Sequence, residues 1–414
     1  MELKEFVKLD DKGRKKMAAG LARKGWQGDL NYIAELASKV KNAQIELDQA
    51  RAEVNQAAKI QDIEAGKAAS MREKDKLAAY KQLHEELTPL WAAIPNPPDK
   101  DVPEGGENDG EVVGKSKLQP ANLNNPKDHI ELGEALNIID IERGVKTSGS
   151  RFYFLKNEAA ELEFALIRWL FKTLKKKGFE LLVTPQIVNE EVMVAAGYVS
   201  KSYNHAAEVY KLDDPENATH YLIGTSEQST LGYHLNEIID APKRYAAFST
   251  CFRKEAGSYG QDVKGIIRTH QFDKVELFSF VAPKDSAKEF KNLVAIQEFI
   301  LKKLEIPYQK VLIAVGDLGM PAAKKIDLES WMPSQGRYRE THSCSNCTDW
   351  QAIRANIRYR TAAGETEFVH TLNGTGVAIG RILVAILENH QQPDGSIKIP
   401  KVLQPHVGFK EIKK

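Results

Sequence analysis

From Ile33 onward, apolar residues recur at Ile33, Leu36, Val40, Ala43, Leu47, Ala50, Val54 and Ala57, separated alternately by three and four positions. That spacing keeps them on one stripe of an α-helix and constitutes a heptad seam. The pattern lapses around Gly66 and returns more weakly at Leu77, Tyr80, His84, Leu87, Trp91 and Ile94. It ends in IPNPPDKDVPEGGENDGE, where prolines remove backbone donors and glycines and acids favour turns. Two seams separated by a short break predict an antiparallel helical hairpin over about residues 30–94. At about 1.5 Å per residue, helices of some 28 residues would project roughly 40 Å. Residues 1–104 are therefore expected to form a domain distinct from 105–414.

Beyond the linker, compact apolar runs alternate with amphipathic stretches. GSRFYFL, ELLVTPQIV, YLIGTS, YAAFSTCFRK, DKVELFSFV and QKVLIAVG predict strands. LEFALIRWLFKTLKKKGF predicts a helix closed by glycine, and VAIGRILVAILENHQ, after Gly376, predicts a buried helix. The strands lack regular βαβ spacing, so the expected class is α+β, a mainly antiparallel sheet flanked by helices.

Composition narrows the picture without deciding it. Hydrophobic residues make up 42% and charged residues 28%, as in soluble globular proteins. With 58 Lys+Arg against 57 Asp+Glu, no global basic field points to nucleic acid, and any such contact must come from a local patch. Three cysteines, Cys251, Cys344 and Cys347, make no disulfide framework and fit a reducing compartment. No apolar run approaches the ~18 residues of a membrane span. The opening MELKEFVKLDDKGRKKM has neither a secretory core nor the acid-poor character of a transit peptide, so a cytoplasmic setting is expected.

Three motifs look functional and fail on inspection. Gly110-Glu-Val-Val-Gly114-Lys115-Ser116 is one residue short of a P-loop, and LQPANLNNP cannot supply the following helix. Gly374-Thr-Gly376-Val-Ala-Ile-Gly380 is one residue too long at its last step for a dinucleotide fingerprint. Cys344-Ser-Asn-Cys347, with His342 nearby, has zinc-ligand spacing but no second pair, which favours ordinary thiols.

The strongest chemical signal is Phe252-Arg253-Lys254-Glu255-Ala256-Gly257-Ser258 followed by Gly265-Ile-Ile-Arg268-Thr-His270-Gln-Phe272. Arg253 and Glu255, two apart, share a strand face. A returning segment would bring Arg268 and Phe272 beside them. Such an array can hold an α-phosphate on Arg253, meet an adenine edge near Glu255 and stack the base on Phe272. Alone, an Arg–Glu pair at this spacing is an ordinary surface ion pair; the whole assembly argues otherwise.

This segment resembles motif 2 of class II aminoacyl-tRNA synthetases in the form found in seryl-tRNA synthetases, FRxEAGS…GxIRxHQFDKVE. Leu182-Val-Thr-Pro185 resembles motif 1 (near 178–197), with motif 2 at about 248–280. Asn373-Gly-Thr-Gly376 through Gly380-Arg381 resembles motif 3 (about 370–390). Gly224-Thr225-Ser226-Glu227 is similar to the TxE serine loop, and Glu340-Thr-His-Ser343-Cys-Ser-Asn to E-[IV]-S-S-C-S-N. The resemblance implies that serine is activated with ATP and passed to tRNA(Ser), leaving tRNA(Sec) open as a second acceptor. It implies that Thr225, Glu227, Arg253, Glu276, Asn373 and Thr375 surround serine. Arg253, Glu255, Arg268, Phe272 and Arg381 would hold ATP, with Arg253 and Arg381 also catalytic. Glu340 and Ser343 would take Mg²⁺ as well as ATP. It further implies a homodimer built through motif 1 and an arm contacting tRNA, where Lys59, Lys67, Arg72, Lys74 and Lys76 could meet phosphate. Thr341-His342, Cys347 and Trp350 depart from the family pattern, and the first pair would bear on ATP-site packing. Two other readings remain open: a synthetase-like ligase loading a carrier other than tRNA, and a non-catalytic dimeric binding protein on the same scaffold.

Overall fold

A computed structural model describes residues 3–120, 123–199, 208–213, 219–256 and 265–414. The expected motif 2 turn at Gly257 and Ser258 lies outside the described residues. The chain divides into two compact units at Pro97 and Pro98.

In the first unit, helices α1 (Leu30–Lys59) and α2 (Ile63–Ala92) form the hairpin. Asp29 and Asp62 cap them by accepting from the backbone N–H groups of Asn31 and Tyr32, and of Ala65. Ile33, Leu36, Val40, Leu47, Ala50 and Ala57 are buried along the seam. The chain reverses at Ile60–Asp62, where Gln61 takes φ +56, not at Gly66. Gly66 belongs to α2, and a Cβ there would lie 3.9 Å from that of Ala57. The seam lapses in sequence because Gly66 and Ala69 pack through small groups. His84 is exposed, and Leu83 packs into the core instead. Inter-helix ion pairs join Lys76 to Glu46 (2.6 Å), Arg72 to Glu53 (2.9 Å) and Arg51 to Glu73 (3.4 Å), while Lys67 meets Glu64 (3.1 Å). Among the described residues, Lys59 and Lys74 make no such pair.

The second unit is built on an eight-stranded sheet of described residues. Its strands are β1 (Glu111–Lys115), β2 (Glu180–Val183), β3 (Lys243–Phe252), β4 (Gln271–Val281), β5 (Tyr308–Leu312), β6 (Lys324–Met332), β7 (Arg337–Asn346) and β8 (His370–Ala378). The order is β1-β5-β6-β7-β8-β4-β3-β2, antiparallel except for the β2–β3 pair. The class is α+β, as the sequence predicts.

Helices α3 (Asn157–Lys176), α5 (Ser286–Lys303) and α6 (Ile379–Asn389) bury Leu166, Leu170, Leu293, Leu383 and Leu387 with Val275 and Leu277 of the sheet. A smaller core on Phe278, Phe280 and Tyr245 includes Leu231 of α4 (Ser226–Gly232). On β4, odd positions thus enter the main core and even positions face away from it.

Several local expectations change. GSRFYFL is strand only at Phe154–Leu155, because Arg151 takes a left-handed φ of +63. YLIGTS leaves the strand after Leu222, because Thr225 caps α4. The helix after Gly376 begins only at Ile379, with β8 running through Ala378. GEVVGKS forms edge strand β1 and GTGVA lies inside β8, so neither is a phosphate-binding turn.

Candidate active site

Even-numbered Phe272, Lys274 and Glu276 share one face of β4, and Cys251 and Ser249 on β3 sit opposite the first two. Just past β3, Arg253 Nε donates to the Gly224 carbonyl at 3.2 Å, and its guanidinium lies 5.3 Å from the Phe272 ring centre. β3 ends at Phe252 and Glu255 takes a left-handed φ of +50, so Arg253 and Glu255 do not share a strand face as their spacing predicts. The Glu255 carboxylate instead turns to accept from Arg268 Nη1 at 2.9 Å. Among the described residues, the buried Arg268 Nε has no hydrogen-bond partner.

The base of the returning segment is anchored by a buried histidine. Ile266 N–H donates to His129 Nε2 at 3.2 Å, which leaves Nδ1 to donate to Glu388 at 3.1 Å. Gly265 has φ +77, and a Cβ there would fall 2.0 Å from His129 Nε2. Gly265→Ala is therefore expected to destabilise the fold by about 2–4 kcal/mol. The shift of the urea midpoint measures it, and an unchanged midpoint would refute the anchoring role.

Two β-bulges set the cleft. Leu328 pairs with His342 but Glu329 pairs with Glu340, leaving Thr341 as an extra residue. Residues 340 and 343 would point to opposite faces of a regular strand; one inserted residue brings them to the same face. Glu340 is accordingly exposed and Ser343 half-buried, whereas Thr341 and His342 are buried. His342 thus turns into the protein rather than lining the ATP side. The second bulge is Gly376, since Val275 pairs with Val377 but Glu276 with Thr375. A Cβ on Gly376 would sit 2.9 Å from the Val275 carbonyl. Asn373, Thr375 and Glu276 then lie together.

Arg381 stitches the parts. Its Nη1 lies 3.1 Å from both the carboxylate and the carbonyl of Glu340, and its Nε donates to the Ile267 carbonyl at 3.3 Å. Burial would push Glu340 upward, but Arg381, Lys325 and Arg253 hold it below the ordinary carboxylate range. The carboxylate remains 46% exposed, so the cations and not burial set its state. Burial likewise opposes charge on Arg253, yet Tyr198, Cys251, Glu255 and Glu340 more than offset it. The arginines expected to act together do converge on one electrostatic cluster. Glu340 and Ser343, with the buried Oδ1 of Asp327 on the adjoining strand, which has no hydrogen-bond partner among the described residues, present only hard oxygen donors, which suits Mg²⁺.

Beside this cluster lie two buried acids, Glu227 and Glu276. Thr225 Oγ1 accepts from Glu227 N–H at 3.3 Å, and Glu227 Oε1 accepts from Gln351 Nε2 at 2.7 Å. Gln351 Oε1 in turn accepts from Thr371 Oγ1 at 2.7 Å. Burial, with Glu276 adding to it, pushes Glu227 up to about 7. Lys274 Nζ approaches Glu276 Oε2 to 2.6 Å as an ion pair, and among the described residues that oxygen has no further polar partner. Asn373 Nδ2 donates to Cys347 Sγ at 3.7 Å. Gln351 and Lys274 escaped sequence reasoning. Strand alternation could have found Lys274, two residues from Glu276.

Comparison with known proteins places this cleft in context. The tRNA synthetase class II core domain (G, H, P, S and T) matches residues 210–390. A serine–tRNA ligase of Corynebacterium kroppenstedtii is 51% identical over 310 residues, 74% of this chain and 72% of that protein. One from Bifidobacterium adolescentis is 44% identical over 382 residues, 91% and 87% of the two chains. The crystal structure of seryl-tRNA synthetase from Pyrococcus horikoshii complexed with ATP superposes with a TM-score of 0.83 at 35% identity, covering 98% of this chain and 99% of that one. Sequence likeness over nine-tenths of the chain and likeness of fold over nearly all of it agree: the chain belongs to the seryl-tRNA synthetases of class II.

Proposed function

We propose a division of labour in the cleft for serine–tRNA ligase activity, the activity that family membership carries. Serine's carboxylate attacks the α-phosphorus of ATP, and pyrophosphate leaves. Two anions must meet, so the step needs charge neutralisation and alignment, not a nucleophilic side chain. Arg253 faces the carboxylate and α-phosphate; Arg268 and Arg381 hold the outer phosphates; Glu255 and Phe272 take the adenine. Mg²⁺ on Glu340 and Ser343 would neutralise further phosphate charge. Glu227 and Glu276 receive serine's ammonium and hydroxyl, with Thr225, Asn373 and Thr375 around them. The 3′-terminal hydroxyl of tRNA then attacks the adenylate carbonyl, forming the ester and releasing AMP. The observation that carries the reading is the Arg253–Arg381–Glu340 cluster directly beside two buried acids.

Domain roles follow the same reading. Residues 1–104, with the arm, bind tRNA(Ser), and residues 105–414 are catalytic. Lys59 and Lys74 are the arm cations best placed for phosphate. A homodimer through motif 1 accounts for Phe164, 70% exposed on α3, and Val183, 75% exposed on edge strand β2. No helix among the described residues is long and apolar enough to cross a membrane, which accords with work in the cytoplasm.

An amino-acid panel in ATP–pyrophosphate exchange tests the reading. Serine should support exchange and alanine about 10⁴-fold less, because buried partners of the hydroxyl would stay unpaired. Exchange with a different amino acid, or none, overturns it. Exchange with serine but no transfer to tRNA would favour the carrier-loading alternative.

Glu227 gives a pH signature. Its carboxyl is raised to about 7, and serine's ammonium prefers the ionised form, so binding releases a proton. Affinity must therefore fall as pH drops through that value. KM for serine should rise about tenfold from pH 8 to pH 6, with no matching slope in KM for ATP. Glu227→Gln should flatten the slope; a slope that persists in that variant assigns it elsewhere.

A further inference from the structure

We infer that His342 is a positioning residue that ties the two β-bulges together, holding the ATP-side acid and the serine-side strand in one register. The inference rests on the serine–tRNA ligase reading of the cleft. Strands β7 and β8 pair only through Cys344–Gly374, Ser345–Asn373 and Asn346–Leu372. Toward Glu340 no ladder joins them, yet this is the stretch that carries Glu340 on β7 and Thr375 on β8. Each strand also carries its bulge there, where ladder bonds are interrupted.

His342 spans that gap. Its Nε2 lies 3.1 Å from the carbonyl oxygen of Gly376, the extra residue of one bulge. Its Nδ1 lies 3.0 Å from Oγ1 of Thr341, the extra residue of the other. A carbonyl only accepts, so the proton must sit on Nε2 and Nδ1 must accept from Thr341. Thr341 Oγ1 in turn sits 2.7 Å from Ser330 Oγ on β6, which can donate to it. A longer alternative acceptor for Thr341, the Leu328 carbonyl, stands at 3.3 Å. Ser330, Thr341 and His342 are at most 1% exposed. The relay therefore crosses three strands in a dry environment, where a satisfied network is rigid and a broken one is costly. It touches neither serine nor ATP in this reading. It fixes Glu340 on one side and Thr375, opposite Glu276, on the other, and small misalignments between reacting groups cost rate steeply.

The test compares His342→Phe, which keeps an aromatic ring but loses the donor, with His342→Gln, whose amide nitrogen can reach the Gly376 carbonyl. Both are measured in the full-length protein by serine-dependent exchange and thermal unfolding. For His342→Phe, kcat should fall about tenfold or more while KM for serine and for ATP each stay within about threefold. His342→Gln should recover kcat to within about threefold of the parent. Parental kcat in His342→Phe, or equal losses of kcat in both variants, overturns the inference. Imidazole ¹⁵N shifts of the unaltered protein give a check that needs no variant: Nε2 must carry the proton at neutral pH, and a proton on Nδ1 overturns the inference even if His342→Phe fails to fold. Absence of serine exchange in the unaltered protein would instead defeat the functional reading, and the tautomer would still decide His342.

Discussion

Replacing Arg253 with glutamate should reduce seryl-adenylate formation at least about a thousandfold. Removal of one preorganised donor at a developing charge typically costs about 10²–10³ in rate, and reversal adds repulsion. The new carboxylate would face Glu255 and Glu340, the acids now helping to keep Arg253 charged. It would also forfeit the Gly224 carbonyl contact and the position against Phe272. Pyrophosphate exchange measures the loss, and thermal unfolding separates it from collapse of the fold. Activity within tenfold of the parent protein, in a folded variant, would remove Arg253 from the centre of the mechanism.

Glu276→Gln should lower kcat/KM for serine by about a thousandfold while leaving KM for ATP within about threefold. Glu276 is 2% exposed, and among the described residues its Oε2 meets only the Lys274 ammonium, 2.6 Å away. A buried carboxylate with a single cationic neighbour retains acceptor capacity for a ligand donor. The substitution also strands Lys274, only 6% exposed and paired through that same oxygen. Loss of one partner from a buried pair costs about 3–5 kcal/mol, so the melting temperature should fall as well. Independent titrations of serine and ATP in the exchange assay distinguish the two effects. A variant that loses stability but keeps its serine KM would make Glu276 a structural residue.

Periodicity exposed some of this architecture and concealed the rest for definite reasons. The seam of α1 is legible because Leu36, Val40 and Leu47 are large and regularly spaced. The second helix is faint because its outer contacts use Gly66 and Ala69, which carry little hydrophobic signal. Strands β6 and β7 went unread because KKIDLESWM and RYRETHSCSN mix charged cleft residues among core positions. The site is partly legible in the same way. Arg253 and Glu255 announce themselves locally, and Glu276 follows Phe272 by strand alternation. Glu340 and Ser343 do not, since a regular strand would set them on opposite faces and only the bulge at Thr341 reunites them. That bulge depends on pairing with Leu328 and Glu329, which no local pattern reveals. Gln351 reaches Glu227 across 124 positions of sequence, and nothing near either residue advertises the contact.

The tapering contacts of the hairpin have a mechanical consequence. Near its base, Leu36, Val40 and Leu87 bury broad apolar surfaces; at its far end the seam thins to Ala57, Gly66 and Ala69. Each buried methylene contributes about 0.8 kcal/mol, so the work of separating the helices declines turn by turn toward the far end. By that measure the root of the arm is the costliest part of the hairpin to open and its outer turns the cheapest.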